Sequence, residues 1–207
     1  MNRRGLIGAV AAAISLAVVP KRARANPKKI RPPGALPPGQ FEQACIGCFR
    51  CAEVCPTACI RFPGTFSLDQ ATPILELSDR ACVLCMKCTQ VCPTDALLPI
   101  AADAQVIAKE VRMGVPVLNR PKCLPWNGTG VCRLCYQVCP YPDKAVELVG
   151  PQKAPLFHAD ACVGCGLCEE ACPDQASAIV IEPIGTEPPK PEPLRRGPGG
   201  QLRRGPR

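Results

Sequence analysis

Histidine and aromatic residues are scarce in this chain of 207 residues, which has one His, five Phe, two Tyr and one Trp. A single His leaves no basis for His-rich metal sites or for a nucleophile–His–acid catalytic triad. The few aromatic side chains argue against a large apolar core, and therefore against a barrel, a doubly wound sheet or a long helical bundle. The sequence also has no Gly-rich phosphate-binding loop and no paired acid and base.

Cysteine and proline are abundant instead, with 17 Cys and 26 Pro. Cys makes up about 8 % of the chain, near the level at which cross-links rather than a core decide the fold. Disulfides, zinc or iron–sulfur clusters must therefore hold the chain together.

The net charge of +8 comes from an excess of basic residues at the two ends of the chain. Residues 1–25 have five basic and no acidic side chains, and residues 186–207 have six basic and two acidic ones. The remainder has 14 basic and 15 acidic residues, a net charge of −1. The central part thus offers no basic face for nucleic acid, and no nucleic-acid partner is expected.

Residues 1–25 are predicted to be a twin-arginine signal peptide. Arg3 and Arg4 precede an apolar stretch over residues 6–19, and residues 23–25 form an Ala-x-Ala cleavage motif. The stretch is shorter than the roughly 20 residues that a membrane-spanning helix needs. An ordinary signal peptide and an uncleaved anchor are the alternatives. The twin-arginine translocase carries folded proteins, so this leader predicts periplasmic export of a protein with a finished cofactor.

Four cysteine runs repeat one spacing. Runs one, two and four read C-x2-C-x2-C-x3-C-P, whereas eight residues separate the first two Cys of run three. The sixteen cysteines of these runs are Cys45, Cys48, Cys51 and Cys55; Cys82, Cys85, Cys88 and Cys92; Cys123, Cys132, Cys135 and Cys139; and Cys162, Cys165, Cys168 and Cys172. Cys59 is left over.

This spacing is that of bacterial ferredoxins, in which three Cys surround one cubane cluster and the Cys before Pro ligates the other cluster of a pair. It predicts four [4Fe–4S] clusters with the sixteen Cys as iron ligands. Gly47, Gly164 and Gly166 are expected to let the backbone approach the clusters. Disulfides and zinc are the alternatives, but triplets suit a cluster better than pairwise bridges, and the extra Cys-Pro is redundant for zinc.

Short apolar segments flank the runs and predict strands. They precede runs two, three and four at 74–77, 115–118 and 156–157, and they follow the four runs at 60–62, 96–98, 145–148 and 178–181. We therefore predict an α+β fold of two ferredoxin-like bis-[4Fe–4S] modules, with short strands and short helices around the clusters.

The predicted division of the chain has six parts. They are the signal peptide 1–25, a Pro-rich linker 26–40, a first dicluster module 41–100, a connecting helix 101–114, a second dicluster module 115–185 and a disordered basic Pro/Gly/Arg tail 186–207. A helix between runs two and three favours sequential pairing of one with two and three with four. Nested pairing of one with four and two with three stays open.

Three further residues have both structural and functional interpretations. Cys59 is predicted to be a small buried side chain, with a swapped ligand or redox-active thiol as the alternative. His158 is expected to make a structural hydrogen bond rather than to bind iron or couple to protons. Trp126 is expected to pack beside the third run and shield it, with a docking loop as the alternative.

Three segments connect the chain to a known family. They are Arg31-Pro32-Pro33-Gly34-Ala35, the third run with Cys123-Leu124-Pro125-Trp126-Asn127-Gly128, and the block His158-Ala159-Asp160-Ala161-Cys162-Val163-Gly164-Cys165-Gly166. In these segments the chain resembles the NapG/MauM ferredoxin-type proteins over about residues 30 to 184. The Pro-rich end lacks the aromatic segment of the family's nitrate-reductase branch.

The resemblance implies a periplasmic electron-transfer subunit of a quinol dehydrogenase type complex, peripheral to the inner membrane and without catalysis of its own. Its implied partners are a membrane-bound quinol-oxidising iron–sulfur protein and a periplasmic terminal oxidoreductase or cytochrome of the nitrate-reductase or methylamine-oxidation type. Two other classes stay open: a permanent oxidoreductase subunit, and a maturation or cluster-delivery factor for a periplasmic redox enzyme.

Overall fold

The computed structural model describes residues 29–63, 72–173 and 178–184, and the backbone of 195–196 and 202–203. The predicted signal peptide 1–25 and most of the predicted tail lie outside the described residues. Across the described part of the chain, no helix is both long enough and apolar enough to cross a membrane.

The helices are short, and four of them serve the cysteine runs. Within the described ranges the helices are α1 Gln40–Ala44, α2 Arg50–Glu53, α3 Lys87–Gln90, α4 Ala104–Glu110, α5 Leu124–Asn127, α6 Leu134–Gln137 and α7 Leu167–Glu170, with a 3-10 turn at Arg120–Lys122. Helices α2, α3, α6 and α7 have four residues each, and each contains the third Cys of one run. Helices of this length have no stability of their own, so packing and the cysteine loops must hold them.

The strands form two-stranded antiparallel ribbons. Strands β1 Ile60–Arg61 and β2 Ile74–Leu75 pair, as do β3 Gly114–Leu118 with β6 Ile179–Pro183, and β4 Val146–Val149 with β5 Ala154–Phe157. Six of the seven predicted segments thus contain strands; residues 96–98 instead make one bridge, between Leu97 and Ala35. A two-stranded ribbon alone is only marginally stable in water, so these ribbons also depend on packing against the core.

One contiguous core joins the two halves of the chain. It includes Phe41 and Leu97 of the first half, Ile107 of α4, and Val163 and Ile181 of the second half. The mixed helix and strand composition agrees with the predicted α+β class. The core, however, does not divide at the connecting helix.

Backbone hydrogen bonds also cross between the halves. The N–H of Cys82 donates to the carbonyl of Cys165 at 2.8 Å, and that of Met113 donates to Val163 at 3.0 Å. The Ala81 N–H donates to Oε2 of Glu170 at 3.2 Å. Runs two and four are therefore in direct contact.

Helix α4 is shorter than the predicted connecting helix 101–114. Asp103 caps it by accepting hydrogen bonds from the N–H groups of Gln105 and Val106, which fixes the start. The helix ends after Glu110 because Val111 is extended and β3 begins at Gly114.

The predicted linker 26–40 is wrong for residues 30–40. The Arg31 guanidinium donates to Oγ1 of Thr72 and to the carbonyl of Pro73, and it pairs with Glu42 at 2.6 Å. The Leu36 N–H donates to the carbonyl of Ala96 at 3.0 Å, and α1 begins at Gln40. Proline fixes φ without preventing packing, so this Pro-rich segment belongs to the first half.

Four residues of the predicted tail lie within the described part of the chain. Strand β7 Arg195–Arg196 pairs with β8 Leu202–Arg203 in antiparallel register. The other residues of the predicted tail 186–207 lie outside the described residues.

Candidate metal centres

Four cavities are each lined by four cysteines of the runs. We number each quartet by the run that supplies three of its thiols. Quartet 1 is Cys45, Cys48, Cys51 and Cys92; quartet 2 is Cys82, Cys85, Cys88 and Cys55; quartet 3 is Cys123, Cys132, Cys135 and Cys172; quartet 4 is Cys162, Cys165, Cys168 and Cys139. All sixteen predicted site residues are thus brought together in fours.

The fourth thiol of each quartet comes from the neighbouring run. Cys92 of run two completes quartet 1, and Cys55 of run one completes quartet 2. Cys172 and Cys139 complete quartets 3 and 4 in the same reciprocal way. The thiols therefore meet in the sequential arrangement, and nested pairing is inconsistent with it.

Runs one, two and four share an unusual backbone. The second and fourth residues after the first Cys have positive φ in all three runs: Gly47, Phe49, Leu84, Met86, Gly164 and Gly166. Left-handed residues between right-handed ones turn successive N–H groups toward one side, which makes a concavity suited to anions and iron–sulfur sites. The non-glycine residues in this conformation each cost about 1–3 kcal/mol, which is typical of functional sites.

Gly164 has a second constraint besides its φ of 74°. A Cβ at this position would collide with the backbone of Gly114 at the start of β3. Glycine is therefore required here by a close approach of two backbones, as well as by the turn around the thiols.

Burial makes several thiols of the quartets poor acids. It raises the pKa of Cys51 to about 11 and that of Cys88 to about 12, with repulsion from other thiolates as a further cause. Burial likewise raises the pKa of Cys135 to about 12 and that of Cys165 to about 11. Four thiolates in one cavity are therefore unfavourable unless cationic iron offsets their charge.

The cavities suit a polynuclear cluster better than a single ion. Each cavity is lined by four thiols from two different runs, and the walls are mostly apolar apart from the thiols. A tetrahedral zinc would draw its thiolates to about 2.3 Å; among the described residues, no three Cys, His, Asp or Glu side chains form a site for one ion. All seventeen cysteines are free thiols. The donor set thus fits [4Fe–4S] clusters.

Hydrogen-bond donors contact several quartet sulfurs. The N–H of Leu97 donates to Sγ of Cys92 at 3.5 Å, and that of Gly164 donates to Sγ of Cys162 at 3.4 Å. Oγ1 of Thr57 is 3.6 Å from Sγ of Cys55, and Thr94 repeats this contact with Cys92 at 3.8 Å. The sequence signal that could have identified the two hydroxyls is the Cys-Pro-Thr triplet of runs one and two. Such donors tune cluster potentials.

Trp126 and His158 lie outside the quartets. Nε1 of Trp126 donates to the carbonyl of Pro155 at 2.9 Å, and the Arg120 guanidinium covers its ring at 4.3 Å. Pro155 lines the cavity of quartet 3, so the packing interpretation of Trp126 holds. Nε2 of His158 is 3.7 Å from Oε2 of Glu147, across the β4–β5 ribbon.

Cys59 is buried, as predicted, but its neighbours are quartet thiols. It lines the cavity of quartet 2, and its Sγ is 3.6 Å from that of Cys55. Its thiol also shares a hydrogen bond with the thiol of Cys82. Sequence alone gave no sign that run two would reach this residue.

Comparison with known proteins gives consistent matches along the chain. Family models described as "4Fe-4S dicluster domain" match residues 44–96 and 74–140, and one described as "4Fe-4S binding domain" matches residues 155–176. The "Ferredoxin-type protein NapG" of Escherichia coli is 32 % identical over 190 residues, which cover 86 % of this chain and 80 % of that protein.

Two further relatives are described as "Methylamine utilization ferredoxin-type protein MauM". The protein of Methylorubrum extorquens is 34 % identical over 183 residues, covering 81 % of this chain and 78 % of its own length. That of Paracoccus denitrificans is 36 % identical over 170 residues, covering 75 % of this chain and 72 % of its own length.

Proposed function

The chain belongs to the NapG/MauM family of ferredoxin-type proteins, and we propose that it relays single electrons through four [4Fe–4S] clusters, one in each quartet. Proteins of this family are iron–sulfur electron carriers and are not catalytic on their own. The observation that carries the proposal is the grouping of sixteen free thiols into four cavities. A bound cluster supplies one-electron oxidation and reduction.

The contacts between the runs support a definite order of the sites. Quartets 1 and 2 are joined because they exchange their fourth Cys, and so are quartets 3 and 4. The hydrogen bond from Cys82 to Cys165 makes quartets 2 and 4 neighbours. The four sites therefore follow the order 1, 2, 4, 3, and this differs from their order along the chain.

Quartets 1 and 3 are the ends of this order, and apolar side chains lie exposed beside each of them. Ile46 is 66 % exposed next to Cys45, and Val131 is 64 % exposed next to Cys132. Phe49 and Leu134 are also exposed at the same two places. We assign these surfaces to the exchange of electrons with the two partners, because apolar patches are typical contact sites.

The similarity to the family supports a proposal for the partners and the location. One partner is a membrane-bound quinol-oxidising iron–sulfur protein, and the other is a periplasmic terminal oxidoreductase or cytochrome of the nitrate-reductase or methylamine-oxidation type. Together with these, the chain acts as the electron-transfer subunit of a quinol dehydrogenase type system. The leader pattern of residues 1–25 supports export by the twin-arginine translocase, and a location in the periplasm peripheral to the inner membrane is part of the proposal.

An anaerobic redox titration monitored by EPR tests the function, with iron and acid-labile sulfide counted on the same sample. We expect about 16 iron per chain, and clusters that quinol reduces. Iron near zero with thiols oxidised in pairs contradicts the cluster sites. Full loading with potentials too low for quinol contradicts the direction of flow. Clusters that pass readily to an apo-enzyme favour a maturation factor instead.

A further inference from the structure

Cys59 is a fifth thiol in the cavity of quartet 2. It is 1 % exposed and lines this cavity together with Cys55 and Cys82. Its Sγ is 3.6 Å from that of Cys55, and its thiol is hydrogen-bonded to the thiol of Cys82. The described linings of the other three cavities contain four Cys each. Quartet 2 therefore has one sulfur more than a cubane needs.

The backbone fixes the position of Cys59. Ala58 before it is left-handed, with φ of 53°, and β1 begins directly after it at Ile60. The Glu76 N–H donates to the carbonyl of Cys59 at 2.9 Å. Its side chain is thus directed into the cavity by a strained turn and a strand pair, both of which restrict its movement.

Quartet 1 provides a matched site without the fifth thiol. Asp95, which corresponds to Ala58, is left-handed with φ of 54°. Ala96 follows it, is 1 % exposed and lines the cavity of quartet 1. The Thr contact to the fourth Cys is present at both sites. The two turns therefore repeat each other in backbone and in the Thr contact, but one has the thiol of Cys59 where the other has the methyl group of Ala96.

We propose that Cys59 donates its single S–H hydrogen bond to the ligand sulfurs of quartet 2, shared between Cys55 and Cys82, and thereby raises the reduction potential of the cluster in that quartet. This inference rests on the proposed function, which places a cluster in that quartet. Ligand sulfurs are thiolates and can accept, whereas Cys59 lies outside the four-Cys pattern and keeps its proton. Reduction adds negative charge, which a hydrogen-bond donor stabilises more than it stabilises the oxidised form. Cys59 is a positioning residue and not a ligand.

The test is an EPR-monitored titration of the full-length protein and three variants, Cys59→Ala, Cys59→Ser and Ala96→Cys, with iron and sulfide counted in each. We expect all four proteins to contain about 16 iron per chain. Cys59→Ala lowers the midpoint of one cluster and leaves the others unchanged. Cys59→Ser keeps a donor of similar size and recovers part of the loss. Ala96→Cys raises the midpoint of a different cluster.

The outcomes that contradict the role of Cys59 can be distinguished from the outcome that contradicts the proposed function. Unchanged midpoints in Cys59→Ala at full iron content overturn the proposed role. Loss of about four iron from that variant also overturns it, because Cys59 would then be a ligand. If Cys59→Ala does not fold, Ala96→Cys decides: unchanged midpoints at full iron overturn the role. Iron near zero in the unsubstituted protein contradicts the proposed function itself.

Discussion

Quartet 4, an inner site of the order 1, 2, 4, 3, lies deeper in the molecule than quartet 1, the outer site at one end. The three Cys that run four gives to quartet 4 are all buried, whereas quartet 1 has no buried thiol and its Cys48 is exposed. Quartets 2 and 3 lie between these extremes, with two buried thiols each. The backbone hydrogen bonds of run four with Cys82 and Met113 help to bury quartet 4. The same four-Cys pattern thus gives sites of different depth, and neighbouring chain segments decide the depth.

The largest difference between inner and outer quartets is expected on removal of one ligand. We expect Cys168→Ala in quartet 4 and Cys48→Ala in quartet 1 each to lose about four iron per chain. Cys168 belongs to the shared core, so its variant should also unfold at least about 10 °C below the Cys48 variant. Iron analysis and anaerobic thermal unfolding by circular dichroism measure both effects. Equal unfolding temperatures would contradict the distinction between inner and outer sites.

The rate of iron loss should separate quartets 1 and 4 next. Solvent reaches the thiols of quartet 1 more easily than those of quartet 4, so an oxidant with an iron chelator should remove the iron of quartet 1 first and that of quartet 4 last. We expect a fast phase of about four iron per chain, at least about ten times quicker than the slowest phase. Absorbance of the released iron complex follows the reaction, and a sample without oxidant gives the baseline. A single phase would mean that burial does not protect quartet 4.

Gly164→Ala tests the contact that holds quartet 4 against β3. The new Cβ collides with the backbone of Gly114, whereas Gly128→Ala places its Cβ in open space. Both glycines have positive φ, 74° and 78°, so an alanine at either position should lower the free energy of unfolding by about 1 kcal/mol through backbone strain. Only Gly164→Ala should lower the free energy of unfolding by roughly 2 kcal/mol more, as expected for overpacking. Anaerobic urea unfolding measures the difference between the two variants. Equal losses of stability would show that β3 moves away from the new Cβ without a loss of stability.

The smallest effect is expected from Asp103→Ala at the cap of α4. The helix lies between the two quartet pairs, and its Ala104 carbonyl accepts a hydrogen bond from the Tyr141 hydroxyl beside quartet 4. Loss of the cap should lower the free energy of unfolding by about 1 kcal/mol. Asp160→Ala, at an exposed position, is the control and should change stability little. A change in iron content in Asp103→Ala would mean that the cap also supports the cluster sites.

Much of the site could be predicted from the sequence because its information is local. The spacing of each run determines which three thiols meet, and the apolar segments beside the runs became the strands β1 to β6. The completion of quartet 1 by Cys92 is one of the two pairings that the sequence allows. Spacing does not decide between them, since both pairings use the same sixteen Cys.

The remaining features depend on contacts between distant segments. Arg31 joins α1 to the residues before β2, and nothing in its Pro-rich surroundings indicated this. The hydrogen bond from Cys82 to Cys165 links runs two and four, which are about 80 residues apart, a separation at which local pattern gives no register. Leu84 and Met86 have left-handed backbones, a conformation that normally favours glycine. The cysteines on either side, which must reach one cavity, hold these residues in that conformation.

The reciprocal fourth thiol also sets a sequence of events during synthesis. A chain that emerges from its N-terminus completes quartet 2 at Cys88 and quartet 1 only at Cys92, four residues later. In the second half, quartet 4 is complete at Cys168 and quartet 3 at Cys172. Each pair of sites therefore becomes ready for iron almost at once. A chain that stops short of residue 168 has only the first pair complete.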